Sequence, residues 1–245
     1  MNRPVGVQEA KRGVCSVVLV AAGRGTRFGS RVPKQFVRLG GRMLLEHSLA
    51  VFHEMPEVAE VILVVGSGAV AAVEPVVRRY PKVKIARGGR ERHDSVRNGM
   101  ALVDRASRYI AVHDAARPLI DAETVRRVLR AVRTCDAAVP GLPVTDTVKM
   151  VSPRGFVIST PDRTALRAVQ TPQVFRRRVA DRVYAPAVVR RWTRRRTITD
   201  DVQLAELEGF RVRVVAGSVD NIKVTTPDDL ETARRLLTAR APEGR

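Results

Sequence analysis

Absences narrow the possibilities first. The 245-residue chain has two cysteines, Cys15 and Cys135, too few for a disulfide framework or a cysteine-ligated metal site, so both are expected to be small core residues. Aromatic residues make up 4% of the chain, and no basic run is interleaved with them, which weighs against a single-strand nucleic-acid binder. No apolar run reaches the ~18 residues of a membrane-spanning helix. The polar opening MNRPVGVQEAKRG is followed by an apolar run too short for a signal peptide, so a cytoplasmic protein is expected. Acidic residues are outnumbered 25 to 44, giving a formal net charge of +19, and six of the basic residues are lysines, leaving 38 arginines. Such a charge attracts polyanions in general, yet no helix-turn-helix, zinc-finger or RNA-recognition pattern accompanies it. A composition-wide arginine bias explains it more simply, and no nucleic-acid partner is expected. The densest cluster, Arg190, Arg191, Arg194, Arg195 and Arg196 around Trp192, reads as a solvated helix end and loop, with nucleic-acid contact as the lesser alternative. His47, His53 and His93 lack metal-ligand spacing, and His113 reads as a packed core histidine.

What is present centres on Ser16 to Phe36, SVVLVAAGRGTRFGSRVPKQF. Val17 to Val20 form a short β-branched run, expected as a strand buried on both faces of a parallel sheet. Ala21, Ala22, Gly23 and Gly25 then let the backbone approach a bulky group, and exposed N–H groups in such a loop hold phosphates. Arg24, Arg27, Arg31 and Lys34 add positive charge. Phe28 stands where a dinucleotide fingerprint needs its third glycine, and the Gly-Lys-Ser/Thr of a Walker A loop is missing. Taken alone, the stretch is also consistent with a tight turn carrying solvated arginines.

Strands and helices alternate downstream. Helical spacing covers Met43–Phe52, with Glu46 and His47 on the polar side, then Ala69–Tyr80, about Asp94–Val103, Ala122–Arg133, Ala180–Arg191, Asp200–Glu208 and Asp228–Ala239. Strands are expected at Val58–Val65, Val83–Ala86, Tyr109–His113, Ala137–Val139 and Phe210–Val215. This alternation implies an α/β fold with a doubly wound, mostly parallel sheet. Ligands in such sheets sit beyond the carboxyl ends of the strands, where the glycine loop, the loop Gly88–Ser95 and Asp114 should converge. Between 143 and 175 the pattern changes: Thr147–Val151 and Phe156–Ser159 flank Ser152-Pro153-Arg154-Gly155, a hairpin signal. That hairpin cannot bury a core of its own, so it either packs on the sheet or projects as an inserted β-arm onto a partner subunit. The expected organisation is a disordered extension at 1–13, one domain at 14–239 and a short tail at 240–245.

Asp114, in VHDAARP, follows a buried strand and is placed to hold Mg²⁺ on nucleotide phosphates, because magnesium takes few protein carboxylates plus phosphate oxygens. A structural ion pair with Arg117 is the alternative. Asp220 and Lys223, in DNIKVT, add another acid and another cation. Acids and cations around a glycine loop suit nucleotidyl transfer, in which an already ionised phosphate attacks the α-phosphorus of a nucleotide. No general base is then needed, and catalysis consists of positioning and charge neutralisation.

AAGRGTR with Pro33-Lys34-Gln35, GGRERHDSV, VHDAARP, Pro143–Lys149, AVQTPQVF, TITDD and DNIKVT occur in this order. From about Val14 to Leu237 the chain resembles the 2-C-methyl-D-erythritol 4-phosphate cytidylyltransferases of the non-mevalonate isoprenoid pathway, which have a Rossmann-like nucleotidyltransferase fold. The resemblance implies CTP and a polyol phosphate as substrates and Mg²⁺ as cofactor. It implies that Gly23, Gly25, Arg27 and Lys34 wrap the triphosphate, with Ala21, Ala22 and Ala115 as small residues beside the nucleotide. Arg27, Lys34 and Lys223 would be catalytic, Lys223 at the α-phosphate. Gly89, Arg92 and Ser95 would lie at cytosine and ribose, and Asp114 with Asp220 at the metal. Arg117, Thr147, Arg163 and Thr171 would bind the acceptor, with Thr147 and Arg163 reaching a neighbour's site across a homodimer by arm exchange. Arg90 departs from the family pattern, standing where some relatives carry an acid, and the arginine cluster near Trp192 lies outside the pattern. Ribitol 5-phosphate cytidylyltransferases share the fold and most of these motifs and form the alternative.

Overall fold

A computed structural model describes residues 13–23, 28 and 33–240. The expected extension at 1–13 thus falls, apart from Gly13, outside the described residues, as does the tail after Arg240. The elements are β1 (Cys15–Ala21), β2 (Arg38–Leu39), β3 (Arg42–Met43), α1 (Leu44–Glu54), β4 (Val58–Val65), α2 (Val70–Val77), β5 (Val83–Arg87), α3 (Arg92–Met100), β6 (Tyr109–Asp114), α4 (Ala122–Ala131) and β7 (Ala137–Pro143). There follow β8 (Met150–Val151), β9 (Val157–Ser159), β10 (Arg167–Val169), β11 (Gln173–Arg176), α5 (Arg177–Val183), α6 (Pro186–Thr193), α7 (Asp201–Leu207), β12 (Val212–Ala216) and α8 (Pro227–Arg240).

Among the described residues the central sheet runs β10-β7-β11-β6-β1-β4-β5, with β12 on the other edge of β7. β1, β4, β5 and β6 pair in parallel, as do β7 and β12. β10 and β11 run antiparallel to their neighbours, so the sheet is mixed but mostly parallel, with helices on both faces. β1 sits at its centre because its side chains are apolar on both sides: Val17 and Leu19 enter one core with Leu45, Phe52, Val73 and Val128. Val18 enters the other with Val96, Val179, Val189 and Val202, as the two-residue period of a strand requires. Each such side chain, fully buried, stabilises the fold by roughly 1.5–3 kcal/mol. A smaller cluster of Leu39, Leu44, Leu119, Val224 and Leu230 seats α8 beside the end of β6.

The helices start where capping chemistry allows. The Asp121 carboxylate accepts from Thr124 N at 2.6 Å ahead of α4, and Asp200 accepts from Gln203 N at 2.9 Å ahead of α7. The helix expected over Ala180–Arg191 is two helices, because Pro186 has no N–H to continue α5 and instead opens α6. Glu46 is buried rather than on the polar side of α1, its carboxylate accepting from Arg79 at 2.7 Å and Tyr80 at 3.2 Å. β10 and β11 have no counterpart in the expected strand list; the peptide between them, Thr171-Pro172, is cis. Cys15 and Cys135 are free and buried. The hairpin expected after Thr147 is present as β8 and β9, paired with each other and not with the central sheet.

Candidate active site

The carboxyl ends of β1 and β6 and the loop after β5 open onto a cavity of about 350 Å³. Ala21, Ala22 and Gly23 follow β1 on its floor, Gly89, Arg92 and Ser95 come from the β5–α3 loop and α3, Asp114 and Ala115 end β6, and Lys34 and Lys223 close the rim. Gly25 and Arg27 lie outside the described residues. The walls follow from local constraints. Gly88 N donates to Val65 O at 2.7 Å and Ala115 N to Val20 O at 3.0 Å, extending the parallel ladder past the strands. A Cβ on Gly88 would collide with the Ala22 methyl, so the two loops touch only because one residue is glycine. Ser95 Oγ accepts from Gly89 N at 3.0 Å and donates to Glu91 O at 3.1 Å, holding the second loop in a tight arc.

Charge in the cavity is organised on Asp114. Arg92 Nη2 donates to its Oδ1 at 2.9 Å, and Lys223 Nζ donates to its Oδ2 at 2.6 Å. Burial pushes this carboxyl up, but Arg92 and Lys223 outweigh burial and hold it well below the usual carboxylate range. Arg92 is itself anchored from behind, Nη1 donating to Asp201 Oδ2 at 2.5 Å. Asp201 is 2% exposed, and its backbone N–H donates to Gln173 Oε1 at 2.9 Å. Lys34 Nζ donates to Val224 O at 2.8 Å, and Gln35 Nε2 to Gly23 O at 3.2 Å. The Arg117 side chain, the alternative partner for Asp114, instead donates through Nη1 to Asn221 O at 2.7 Å.

Several expected residues stand elsewhere. Asp220, expected beside Asp114 at a metal, is off the cavity lining; its Oδ2 accepts from Arg240 at 3.0 and 3.2 Å. The turn after β12 aims it at the end of α8, away from β6. Thr171 is buried, its Oγ1 accepting from Asp114 N at 3.2 Å and lying 2.9 Å from His113 Nδ1, so its hydroxyl fixes the end of β6 instead of facing the cavity. Thr147 and Arg163 are exposed on the arm and do not line this chain's cavity, and Arg163 Nη1 donates to Thr145 O at 2.5 Å. Arg117 is likewise off the lining. His113 is a core residue, 0% exposed, with burial pushing its imidazole down to about 4. Gln35, Thr225 and the anchor Asp201 stand inside the motifs Pro33-Lys34-Gln35, DNIKVT and TITDD but were given no role there; the contact of Asp201 with Arg92 bridges 109 residues.

The donor set fits a magnesium ion. Asp114 is ionised and lines the cavity; its Oδ1 accepts from Arg92 Nε at 3.3 Å and Nη2 at 2.9 Å, while Oδ2, which accepts from Lys223, keeps a further lone pair. Such a set suits a cation that draws most of its shell from phosphate oxygens and water. The arrangement can therefore receive a polyphosphate: a glycine-lined floor, three cations at the rim and one buried anion among them.

Comparison with known proteins gives the same direction. The sequence pattern of one family, IspD, described as 2-C-methyl-D-erythritol 4-phosphate cytidylyltransferase, matches residues 15–239. The 2-C-methyl-D-erythritol 4-phosphate cytidylyltransferase of Symbiobacterium thermophilum is 43% identical over 223 residues, 91% of this chain and 92% of the relative. Among solved structures, the 4-diphosphocytidyl-2C-methyl-D-erythritol synthase of Anaerococcus prevotii superimposes with a TM-score of 0.80 at 28% identity, covering 93% of this chain and all of that one. The 2-C-methyl-D-erythritol 4-phosphate cytidylyltransferase of Thermus thermophilus superimposes with a TM-score of 0.73 at 34% identity, covering 91% and 98%.

Proposed function

The chain belongs to the 2-C-methyl-D-erythritol 4-phosphate cytidylyltransferase family, and from that premise we infer that it transfers CMP from CTP to 2-C-methyl-D-erythritol 4-phosphate, releasing pyrophosphate, in isoprenoid biosynthesis. It is a CTP-dependent nucleotidyltransferase. The observation that carries the reading is the convergence of Lys34, Arg92, Asp114 and Lys223 on one glycine-lined cavity. The named relatives give the ribitol phosphate alternative no support.

The acceptor phosphate is ionised at neutral pH, so its oxygen attacks the α-phosphorus without a base. The one histidine at the end of β6, His113, is buried and spent on Thr171 and the Arg117 carbonyl. The residues act by position and charge. Lys223 rests on Asp114; an incoming triphosphate competes for the ammonium, which turns from carboxylate to phosphate and neutralises charge growing at the α-phosphorus. Lys34, across the rim, meets the departing pyrophosphate. Arg92 keeps Asp114 ionised through this exchange because Asp201 pins it in place. Preorganised donors of this kind account for roughly 10²–10³ each in rate. Asp114 would hold Mg²⁺, which, when bound, offsets the negative charge of the triphosphate. The phosphorylated substrates and two free, buried thiols suit a cytoplasmic enzyme.

The arm is assigned to a second copy of the chain. Among the described residues, five of the nine exposed large apolar side chains, Met150, Val151, Phe156, Val157 and Ile158, sit on this hairpin, Phe156 being 73% exposed, a concentration that marks a docking face. Docking there would carry Thr147 and Arg163 toward the neighbour's cavity, where they would meet the acceptor. The test is pyrophosphate release from CTP and Mg²⁺ with methylerythritol phosphate and ribitol phosphate in parallel, with and without chelator. Release confined to methylerythritol phosphate and abolished by chelator is expected; release with ribitol phosphate alone would reassign the acceptor.

A further inference from the structure

Lys223 lies on a loop between β12 and α8, in which Asn221 N donates to Ser218 O at 3.1 Å and Asp229 caps Thr225 and Thr226. Its first half is also held by a buried carboxamide from a distant part of the chain. Gln170 is 6% exposed and follows β10, the strand by which the arm rejoins the sheet. Its Nε2 donates to Ser218 O at 2.8 Å and to Asn221 O at 3.3 Å. Its Oε1 accepts from Ser218 N at 3.2 Å and, at the limit of hydrogen bonding, from Asn221 Nδ2 at 3.5 Å. The fit is close enough that a Cβ on Gly217 would overlap Gln170 Oε1. Asn221, fully buried, then donates from Nδ2 to Thr171 O at 2.9 Å. The Thr171 hydroxyl accepts from the backbone of Asp114. From the other side Arg117 grips Asn221 O, and Val224 N donates to Ala116 O at 2.8 Å. Gln170 and its neighbour thus touch the two loops that present Lys223 and Asp114.

We propose that Gln170 is a positioning residue that sets Lys223 for catalysis, by clamping the loop at Ser218 and Asn221 from the base of the arm. A carboxamide suits the task, since one planar group supplies donors and an acceptor to a buried loop backbone that water cannot reach. The proposal rests on Lys223 acting on the nucleotide, as inferred above. It also gives the arm's return strand a direct connection to the site: a displacement of β10 is transmitted to Ser218 and Asn221 without crossing the core.

The test is a double-mutant cycle on the full chain: wild type, Gln170→Met, Lys223→Ala and the double variant. Each is assayed for pyrophosphate release and, without acceptor, for CTP affinity by calorimetry in the presence of Mg²⁺. Gln170→Met is expected to lower kcat/KM for CTP at least tenfold. In the Lys223→Ala background the same substitution should lower it less than twofold further, because the residue it positions is already gone. Gln170→Glu keeps the length but sets an acceptor oxygen against the Ser218 and Asn221 carbonyls in place of the donating Nε2, and should lower kcat/KM at least as far as Gln170→Met. If Gln170→Met does not fold, the cycle is run under the same rule with Gln170→Asn, which keeps the carboxamide but is one methylene shorter. Equal fold-losses in the two backgrounds, the signature of a role in the fold alone, would overturn the proposal, as would a Gln170→Met variant within twofold of wild type. A wild-type protein that binds CTP yet releases no pyrophosphate, with the coupling intact in the CTP affinities, would overturn the acceptor assignment and leave the role of Gln170 standing.

Discussion

Asp114 and Glu60 are buried carboxylates on the same sheet, one closing β6 at its carboxyl end and the other near the amino end of β4. Each accepts from a lysine, Lys223 at 2.6 Å and Lys84 at 2.7 Å. Burial pushes both up, and hydrogen-bonded cations bring both down. Their remaining partners differ. Glu60 Oε1 accepts from the backbone N–H of Asp104 at 2.6 Å and from Ser16 Oγ at 2.7 Å, groups locked into a turn and a central strand. Both partners of Asp114 are cationic side chains ending in a cavity. A fixed N–H can do no more than hold its carboxylate. A flexible ammonium can leave for a phosphate and return, so the same pair chemistry fastens a turn at one end of the sheet and waits for a ligand at the other.

The largest effect that would break this contrast is on activity. Asp114→Asn is expected to lower kcat 10²–10³-fold, about 2.7–4 kcal/mol, while its urea midpoint moves little, since Arg92 keeps Asp201 and Lys223 is part-exposed. A variant that turned over normally but unfolded early would reverse the roles of the two acids. Glu60→Ala should do the opposite, losing about 3 kcal/mol of stability because the Asp104 N–H and the Ser16 hydroxyl lose their acceptor, with turnover per folded molecule unchanged. Urea titration followed by assay of the refolded fraction separates the two quantities.

A third expected outcome concerns acid. His113 titrates near 6.5 when unfolded and is pushed down to about 4 when folded, so between those values the unfolded chain binds the extra proton. Its contribution is fully present above pH 6.5 and fades as pH falls toward 4, an expected loss of roughly 3 kcal/mol at about 1.4 kcal/mol per unit. Denaturant midpoints at pH 7 and pH 4.5 measure it. The two carboxylates, held low, begin to lose their contributions in the ordinary carboxylate range, at the foot of this window. His47 and His53, pushed down by burial, act with the same sign, so the His113 share is read as the difference from a His113→Asn variant. The smallest effect sharpens the picture on the loop that carries Lys223: Arg240→Ala frees Asp220 and the Leu119 carbonyl and should slow turnover two- to fivefold, about 0.5–1 kcal/mol, with stability within the range of an exposed ion pair.

How far the sequence could be read depended on the range of the interaction. β1, β4 and β6 were legible because each is a run of β-branched and small apolar residues that only a buried strand accommodates. α4 and α7 were legible from apolar residues at helical spacing. Pro186 carried the signal for the break between α5 and α6, and the spacing of Val179, Val183 and Val189 across it concealed that signal. β10 and β11 were not legible: three or four residues carry too little periodicity, and their pairing with β7 and β6 is what makes them strands. The exposed apolar face of the arm was hidden in the same way, since Val151 and Ile158 resemble core residues until nothing covers them.

By itself, then, the sequence determined the alternating elements, the glycine loop and the placing of Asp114 just past a buried strand, because all three rest on local rules of backbone and burial. Tertiary structure alone decided which acid meets which cation. Arg92 reaches Asp114 across 22 residues and Asp201 across 109, Lys223 reaches Asp114 across 109, and Asp220, alike in kind, is turned away to Arg240. Charges attract without regard to order along the chain, and only the packing of β6, α7 and α8 fixes the distances over which that attraction acts.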